Sequence, residues 1–270
     1  AQSVRDVLGV DPAAEVARFP ADVTTGSFDN DSQNQTVSVL LGEGYLGAAQ
    51  TIAAQVVADP DLREAAIGCD PSSGEACLRE GFARLGRKLW RRPLDAAEVD
   101  ALVALGAAEP TPDDRLSIAI EALLLSPKFL FRVELGEPTA DDPSILQLSG
   151  YEVATRLSYF LWGTTPDDVL LDAAAAGELD EADGVAEHAR RMLADDRARG
   201  AMHDFSAQWL RVRGMEGQYR DPAEFPGWGP ELATSMREEL ALLLDDYLWS
   251  DESLDRKSTR LNSSHANVSR

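Results

Sequence analysis

The sequence predicts an all-α protein, a multi-helix and bundle-like array of helical hairpins with an irregular loop region near its N-terminus. Apolar residues recur at helical spacing along most of the 270 residues, and helix start and stop signals separate these runs. No run alternates apolar and polar residues as a half-buried strand does. We therefore expect helices packed against helices and no extensive sheet.

The most clearly marked helix lies within residues 148–162. Ser149 and Glu152 have the spacing of a capping box, in which each side chain binds a free backbone amide at the helix start. Arg156 follows Glu152 by one turn and is placed to pair with it. An apolar stripe is predicted from four residues at helical spacing: Val153, Leu157, Phe160 and Leu161.

A second helix is predicted directly behind the first. Gly163 marks the end of the first helix, Thr165 is placed as the next N-cap, and Pro166 takes the first helical position. Asp168 lies in the first turn, where the helix dipole favours a carboxylate. Gly177 closes this second helix.

The remaining helices are predicted from caps and apolar periodicity. A long helix spans 35–58, Asp95 and Glu98 form a second capping box, and Thr111 opens a helix whose residues 118–125 are apolar nearly all round. That segment is expected to be central and buried, and a helix restarts after Pro127. Further helices are marked by four sets of apolar residues: Leu78, Phe82, Leu85 and Leu89; Val185, Ala189, Met192 and Leu193; Met202, Phe205, Trp209 and Val212; Leu232, Met236, Leu240, Leu243 and Tyr247.

Residues 10–34 are rich in turn-forming residues and lack periodicity, so they predict an irregular loop. This loop offers oxygen ligands for calcium from Asp29, Asn30, Asp31 and Asn34. It lacks the glycine and the final glutamate of an EF-hand, so we favour a turn rich in Asx caps.

We divide the chain into five segments, of which the linker and the tail are marked by a change of composition. Residues 1–68 form an N-terminal segment, 69–136 a helical domain, 137–147 a linker, and 148–255 a second helical domain. Residues 256–270 are basic and polar, and they resemble a tail translated from sequencing adapter or vector. We exclude this tail from the interpretation of fold and function. The start of the chain shows no signal peptide and no initiator methionine, so we expect a fragment of a longer protein.

The charge balance argues against anionic partners. The chain has 25 Lys and Arg residues against 47 Asp and Glu residues, a formal net charge of −22. Such a protein repels nucleic-acid phosphates and anionic membranes. The richest apolar run, 118–131, is interrupted by charged residues and a proline, and it is shorter than the roughly 18 residues of a membrane span. We expect no nucleic-acid partner and no membrane span.

Complete catalytic and cofactor motifs are missing from the sequence. Adjacent carboxylates such as Asp245 and Asp246 point about 100° apart on a helix, so they do not face one cleft. His188 and His203 lie on separate predicted helices without metal-ligand spacing, and a half-buried structural histidine is the expectation for His203. No nucleophile elbow, phosphate loop or haem-attachment motif is present. We expect no cofactor in this chain and assign no catalytic residue.

Basic and aromatic residues are both expected to serve the fold. The one basic cluster should pair with neighbouring carboxylates; its members are Arg84, Arg87, Lys88, Arg91 and Arg92. The five tryptophans are predicted to be core anchors rather than a platform for sugars; they are Trp90, Trp162, Trp209, Trp228 and Trp249.

Cys69 and Cys77 are the two cysteines of the sequence, and seven residues separate them. The intervening loop is flexible enough to bring the thiols together, and a disulfide there stabilises by roughly 2–3 kcal/mol in the chain-entropy model. Two unpaired thiols, one of them buried at the start of a helix, fit the spacing equally well. A zinc site is not expected, because no histidine lies nearby.

Three groups of motifs carry a resemblance to a known family. The first is Val4-Arg5-Asp6-Val7-Leu8-Gly9-Val10 with Phe28-Asp29-Asn30 and Tyr45-Leu46. The second is Trp90-Arg91-Arg92-Pro93-Leu94 with Glu98 and residues 125–134. The third is 148–168, including Trp162, Pro166 and Asp168, with Arg191-Met192-Leu193-Ala194-Asp195 and Phe205, Gln208, Trp209 and Leu210. In this order they resemble the domains of unknown function 1587, 1595 and 1592 of large exported bacterial proteins from planctomycetes and myxobacteria.

The resemblance implies an exported protein, periplasmic or extracellular, and it therefore favours a disulfide between Cys69 and Cys77. It also implies a partner, because relatives often carry a c-type cytochrome domain elsewhere in the full-length protein. It supplies no catalytic residue.

Three functions follow from these expectations. The leading hypothesis is a helical scaffold or binding part of a larger exported protein, beside a redox module that acts on an extracellular polymer or surface. The alternatives are an extracytoplasmic hydrolase that uses carboxylates of the helix bundle, and an acidic protein-interaction module.

Overall fold

The computed structural model describes residues 1–21, 28–30 and 36–249. The predicted all-α class is confirmed, because the structure is 67% helical and the described residues contain only one sheet, of two short strands. The α-helices of the described part are α1 Gln2–Leu8, α2 Ala13–Val16, α3 Val39–Ala58, α4 Pro60–Ile67, α5 Glu75–Trp90, α6 Ala96–Gly106, α7 Pro112–Leu125, α8 Pro127–Leu130, α9 Gly150–Leu161, α10 Asp168–Ala175, α11 Ala182–Leu193, α12 Asp196–Trp209 and α13 Pro230–Trp249. Single 3-10 turns lie at Pro71–Ser73, Glu178–Asp180 and Met215–Gly217, and strands β1 (Glu137–Pro138) and β2 (Leu146–Gln147) pair antiparallel.

The chain divides into two compact units. The first comprises Ala1–Val23 and Gln33–Ala198, and the second comprises Thr24–Ser32 and Arg199–Arg270. The sequence-predicted borders near residues 68, 136 and 147 fall inside the first unit and stay predictions.

Helix α7 runs through the core of the first unit, as its apolar sequence predicts. Its Leu116, Ala119, Ile120 and Leu123 are fully buried. The core around them is completed mainly by α3 and α5, through Ile52, Ala53, Val56, Leu78, Phe82, Leu85 and Leu89. Burial of these side chains supplies the main favourable term for this unit.

Side-chain caps begin the helices where the sequence marks them most strongly. Both predicted capping boxes, Asp95 with Glu98 and Ser149 with Glu152, are formed with both hydrogen bonds in place. Thr111 caps α7, as predicted. Helix α3 begins at Val39, capped by Ser38, rather than at the predicted residue 35. Residues 31–35 lie outside the described part of the chain.

The buried face of α9 differs from the predicted apolar stripe. Its buried residues are Gly150, Ala154, Thr155 and Ser158, whereas Phe160 is 77% exposed. A close approach to α10 explains the small residues, because a Cβ added at Gly150 would lie 3.1 Å from the carbonyl oxygen of Ala174. The predicted stripe is therefore wrong for Phe160, whereas Val153, Leu157 and Leu161 are half-buried.

The start of α10 also differs from the sequence prediction. Asp167, not Thr165, is its N-cap, and the Asp167 carboxylate accepts the amide of Leu170 at 2.9 Å. Thr165 instead donates its hydroxyl to the carbonyl oxygen of Lys88 at 3.0 Å. Pro166 thus precedes the cap, and Asp168 is the first helical residue. Gly163, with φ of 68°, and Gly177, with φ of 78°, follow α9 and α10 as predicted.

The predicted helix after Pro127 is short. Helix α8 ends at Leu130, and residues 131–136 are not helical. Within the predicted linker, β1 and β2 form a small hairpin with register Glu137 to Gln147.

The second unit, in its described residues, consists of 28–30, the greater part of α12, a loop with one 3-10 turn, and α13. Ala233 is the only residue of α13 that is buried. The segment 256–270, predicted to be an artefactual tail, lies outside the described residues, as do Asp31 and Asn34 of the calcium alternative.

Candidate functional site

Cys69 and Cys77 form a disulfide, with their Cα atoms 6.1 Å apart. The loop between them is ordered by Asp70, whose carboxylate accepts the amide of Ser72 at 2.8 Å and its hydroxyl at 2.7 Å. Both cysteines of the sequence are thus used, and the alternative of two free thiols is excluded in this structure. The bond is compatible with an oxidising compartment.

The basic residues near the end of α5 bind carboxylates at the start of α10. Lys88 Nζ lies 3.1 Å from Asp168 Oδ2, and Arg87 Nη2 lies 2.5 Å from Asp172 Oδ1. Arg87 Nη1 is 3.6 Å from Asp168 as well. The predicted pairing of this cluster is confirmed for these two cations, and Asp168 serves to fasten α10 to α5.

Arg92 extends this pairing to the start of α6. Its guanidinium donates to both oxygens of Glu98, at 2.9 and 2.7 Å, and to the carbonyl oxygen of Pro93 at 2.7 Å. Lys128 Nζ binds the same Glu98 carboxylate. Hydrogen bonds from Arg92, then from Lys128 and the Asp95 amide, lower the pKa of Glu98 to about 2.

Arg91 differs from Arg87, Lys88 and Arg92 of the basic cluster, because it binds carbonyl groups rather than a carboxylate. It ends α5 with a positive φ of 61°, and only 4% of the residue is exposed. Its guanidinium donates to the carbonyl oxygens of Leu89, Lys128, Phe129 and Phe131, at 2.5–3.4 Å. Burial lowers the pKa of Arg91. A lysine cannot reproduce such a planar fork of donors.

A tyrosine on α9 joins this arginine to the N-terminal helix. The guanidinium carbons of Arg91 and Arg132 lie 5.8 and 4.5 Å from the centre of the Tyr159 ring. The Tyr159 hydroxyl is 2.9 Å from the hydroxyl of Ser3 on α1. These four residues, which we call the arginine–tyrosine junction, connect α1, α5 and α9. Cation–π contacts and hydrogen bonds of this kind stabilise a packed junction without a catalytic group.

Trp162 lies at a second polar junction, near the end of α11. Its indole nitrogen donates to the carbonyl oxygen of Met192 at 2.9 Å. The guanidinium carbons of Arg197 and Arg191 lie 3.4 and 5.4 Å from the ring centre. Trp162 is buried, so the prediction of a core anchor is confirmed for this residue.

Two carboxylates complete the surroundings of these arginines. Asp167 accepts two hydrogen bonds from Arg191, at 2.8 and 3.1 Å. Burial opposes ionisation of Asp167, but the bonds from Arg191 and from the Leu170 amide outweigh it, so its pKa is lowered. Hydrogen bonds from Arg197 lower the pKa of Asp195 to about 2.

Arg156 does not pair with Glu152, contrary to the sequence prediction. It binds Glu134, with Nε 2.9 Å from Oε1. Glu152 is already engaged, because it accepts hydrogen bonds from Ser149 and from the amides of Leu135 (2.7 Å) and Gly136 (3.2 Å). The two side chains therefore fix the segment before the hairpin to α9 from different positions.

Both histidines outside the excluded tail contact acidic side chains. His188 Nε2 is 3.2 Å from Glu178, and His203 Nε2 is 2.8 Å from Asp245. His203 is half-buried, as predicted. No group of three potential metal-binding side chains occurs among the residues that the structure describes.

The carboxylates whose pKa is shifted are all shifted downward in the described residues. They are Asp11, Asp70, Glu98, Asp142, Glu152, Asp167 and Asp195. A general acid at neutral pH requires the opposite shift. This chemistry is that of permanent anions that bind cations and amides.

Sequence reasoning missed an exposed group of aromatic residues in the second unit. Trp209 is 62% exposed, so the prediction of a core anchor was wrong for this residue. Its helical spacing from Phe205 is the same as that of a core stripe, and the sequence carries no signal that separates the two cases.

Three family models match the chain in succession. Residues 1–58 match PSD3, a protein of unknown function (DUF1587), residues 77–134 match PSD5 (DUF1595), and residues 148–268 match PSD4 (DUF1592). The last match extends into the predicted tail. No curated protein and no solved structure matches the chain. No helix in the described ranges has the length and apolar character needed to cross a bilayer.

The arginine–tyrosine junction contains Ser3 of the first matched region, Arg91 and Arg132 of the second and Tyr159 of the third. In chain order, the regions that this junction connects are the ones that match DUF1587, DUF1595 and DUF1592.

Proposed function

We propose that this chain is the helical scaffold or binding part of a larger exported protein, held beside a c-type cytochrome domain and acting on an extracellular polymer. The observation that supports the scaffold role is the use of buried and half-buried ionic groups as ties between helices. Arg91, Arg92 and Arg191 each bind a group on another element. Such contacts hold a surface in a fixed position. The carboxylates bound in them are ionised and have no proton to donate.

The Cys69–Cys77 disulfide supports export, because structural disulfides persist in oxidising compartments. The lowered carboxylate pKa values give less support to a hydrolase, since none of these groups is suited to donate a proton at neutral pH. The acidic surface, with a net charge of −22, would keep such a scaffold soluble.

The export part is tested by producing the chain with a bacterial export signal and counting thiols under denaturing conditions. We expect none, and we expect reduction to lower the free energy of unfolding by about 2–3 kcal/mol. The matched control is the Cys69→Ser, Cys77→Ser double variant, whose stability should not respond to reductant. Two reactive thiols in the periplasmic protein would contradict export.

The remaining parts have their own tests. A haem-attachment C-x-x-C-H motif elsewhere in the full-length gene is expected, and a gene without one contradicts the cytochrome partner. Release of reducing ends from a polysaccharide by the purified chain would contradict a purely scaffolding role.

A further inference from the structure

The second unit exposes an unusual amount of aromatic surface. Seven aromatic side chains are exposed among the described residues, and five of them belong to this smaller unit: Phe28, Phe205, Trp209, Tyr219 and Phe225. The other two, Phe131 and Phe160, lie in the first unit. Clustered exposed apolar surface is characteristic of binding sites.

Three of these residues form a row of nearly parallel rings. The ring centres of Phe28 and Phe205 are 5.6 Å apart with 18° between their planes, and those of Phe205 and Trp209 are 6.2 Å apart with 23°. The exposed fraction increases along the row, from 37% through 48% to 62%. We call Phe28, Phe205 and Trp209 the aromatic row. Trp209, at its end, presents most of its surface to solvent.

A buried glutamine holds the row in place. Gln208, which is 8% exposed, accepts the amide of Asp29 at 3.0 Å and donates to the carboxylate of Asp204 at 2.8 Å. It thereby fastens the segment that carries Phe28 to the helix that carries Phe205 and Trp209. A surface fixed in this way loses little conformational entropy when it binds a ligand.

A half-exposed ionic bridge accompanies the row. Arg213 binds Asp29 through one guanidinium nitrogen and lies 3.3 Å from Asp204 through the other. Each of the three side chains is about half exposed. Asp29 and Asp204 directly precede or follow ring-bearing residues, so the bridge borders the row. The bridge combines one guanidinium with two carboxylates, so it offers both hydrogen-bond donors and acceptors beside the row.

We propose that the aromatic row and its bridge bind a neutral polysaccharide. The C–H face of a sugar ring packs on an exposed aromatic side chain such as Trp209 at the end of the row, while paired carboxylate and guanidinium groups hydrogen-bond the hydroxyls at the edges. The net charge of −22 disfavours anionic polymers and nucleic acids. This inference rests on the proposed function and assigns its extracellular polymer to a chemical class.

The test is affinity electrophoresis of the full 270-residue chain in native gels that contain galactomannan, hydroxyethyl cellulose or mixed-linkage β-glucan. We expect at least one of these polymers to retard the chain, with little dependence on salt. Trp209→Ala should weaken that binding by roughly tenfold or more, as expected for an anchoring aromatic residue. Phe160→Ala, which removes an exposed aromatic residue from the first unit, is the matched control and should bind like the wild type.

Three results would overturn the inference: no retardation by any of the three polymers, retardation that Trp209→Ala leaves unchanged, or retention by anionic alginate alone. Circular dichroism of each variant verifies that it is folded, and Trp209→Tyr, which keeps an aromatic face, should retain part of the binding. A chain that lacks free thiols but binds no polymer would leave the exported scaffold standing. A chain that binds a polymer but has two free thiols would contradict export and leave the polysaccharide site standing.

Discussion

Single charged residues of this protein act as ties between helices. Arg91 satisfies carbonyl groups of the segment after α7, and Glu98 receives Arg92, Lys128 and the Asp95 amide on one carboxylate. A carboxylate held by several donors is stable only as the anion. Such residues therefore make the stability of the fold depend on pH.

Glu98 makes this dependence measurable. Its pKa is about 2 in the folded protein against 4.5 as the ordinary value, so its contribution is present above pH 4.5 and is lost as the pH falls toward 2. Glu98→Gln should lower the free energy of unfolding by about 1–2 kcal/mol at pH 7. The difference from wild type should shrink as the pH falls from 4.5 through 2, as followed by urea denaturation across this range.

Glu64→Gln, at an exposed position on α4, is the matched control and should change the free energy of unfolding by no more than about 0.5 kcal/mol. If Glu98→Gln lowers the free energy of unfolding by the same amount from pH 7 to pH 2, then lost packing, and not loss of the ionised carboxylate, causes the destabilisation.

At the level of elements, α9 shows how small residues decide packing. Its inner face is formed by Gly150, Ala154, Thr155 and Ser158, which lets α10 approach closely. The larger Phe160 faces solvent. The helix is thus specified by close contact rather than by a broad apolar stripe.

Ala154→Leu tests this packing, because the site is fully buried and has no room for three added carbons. We expect a loss of about 1–3 kcal/mol from overpacking. Phe160→Ala, on the outer face, should change stability by no more than about 0.5 kcal/mol. Denaturant unfolding of both variants measures these losses. A larger loss of stability for Phe160→Ala than for Ala154→Leu would support the predicted apolar stripe instead.

Helix α9 also shows which structural features can be predicted from the sequence and which cannot. Its capping box was predictable because Ser149 and Glu152 contact only their own backbone turn. Its buried face was not, because small residues such as Ala154 and Ser158 give only a weak signal for burial in the sequence, and their burial depends on packing against other helices. Arg156 was misassigned for a related reason: its partner, Glu134, is 22 positions away.

At the scale of the whole molecule, the two units differ in how much they bury. In the first unit α7 is surrounded by apolar side chains, whereas only Ser206, Gln208 and Ala233 are buried among the described residues of the second. Sequence periodicity predicts helices in both units but not this difference, because exposed and buried aromatic residues share the same spacing. Local stability follows the number of buried apolar contacts.

Native-state hydrogen exchange should therefore separate the units. Amides of α7 are expected to exchange only on global unfolding, and those of α13 at a lower opening free energy. Peptides from α5 serve as a second slow reference within the first unit. Equal protection of α7 and α13 would contradict the unequal burial.

The contacts of Glu152 determine where extra residues can be inserted between β1, β2 and α9. One carboxylate closes the start of α9 and also holds the amides of Leu135 and Gly136, so both ends of the segment between them are anchored. Length added close to either anchor must break a bond to that carboxylate. The hairpin tip at 140–145 is exposed, and its hydrogen bonds are made mainly within the hairpin. A tag or an inserted domain is therefore best accommodated at this tip.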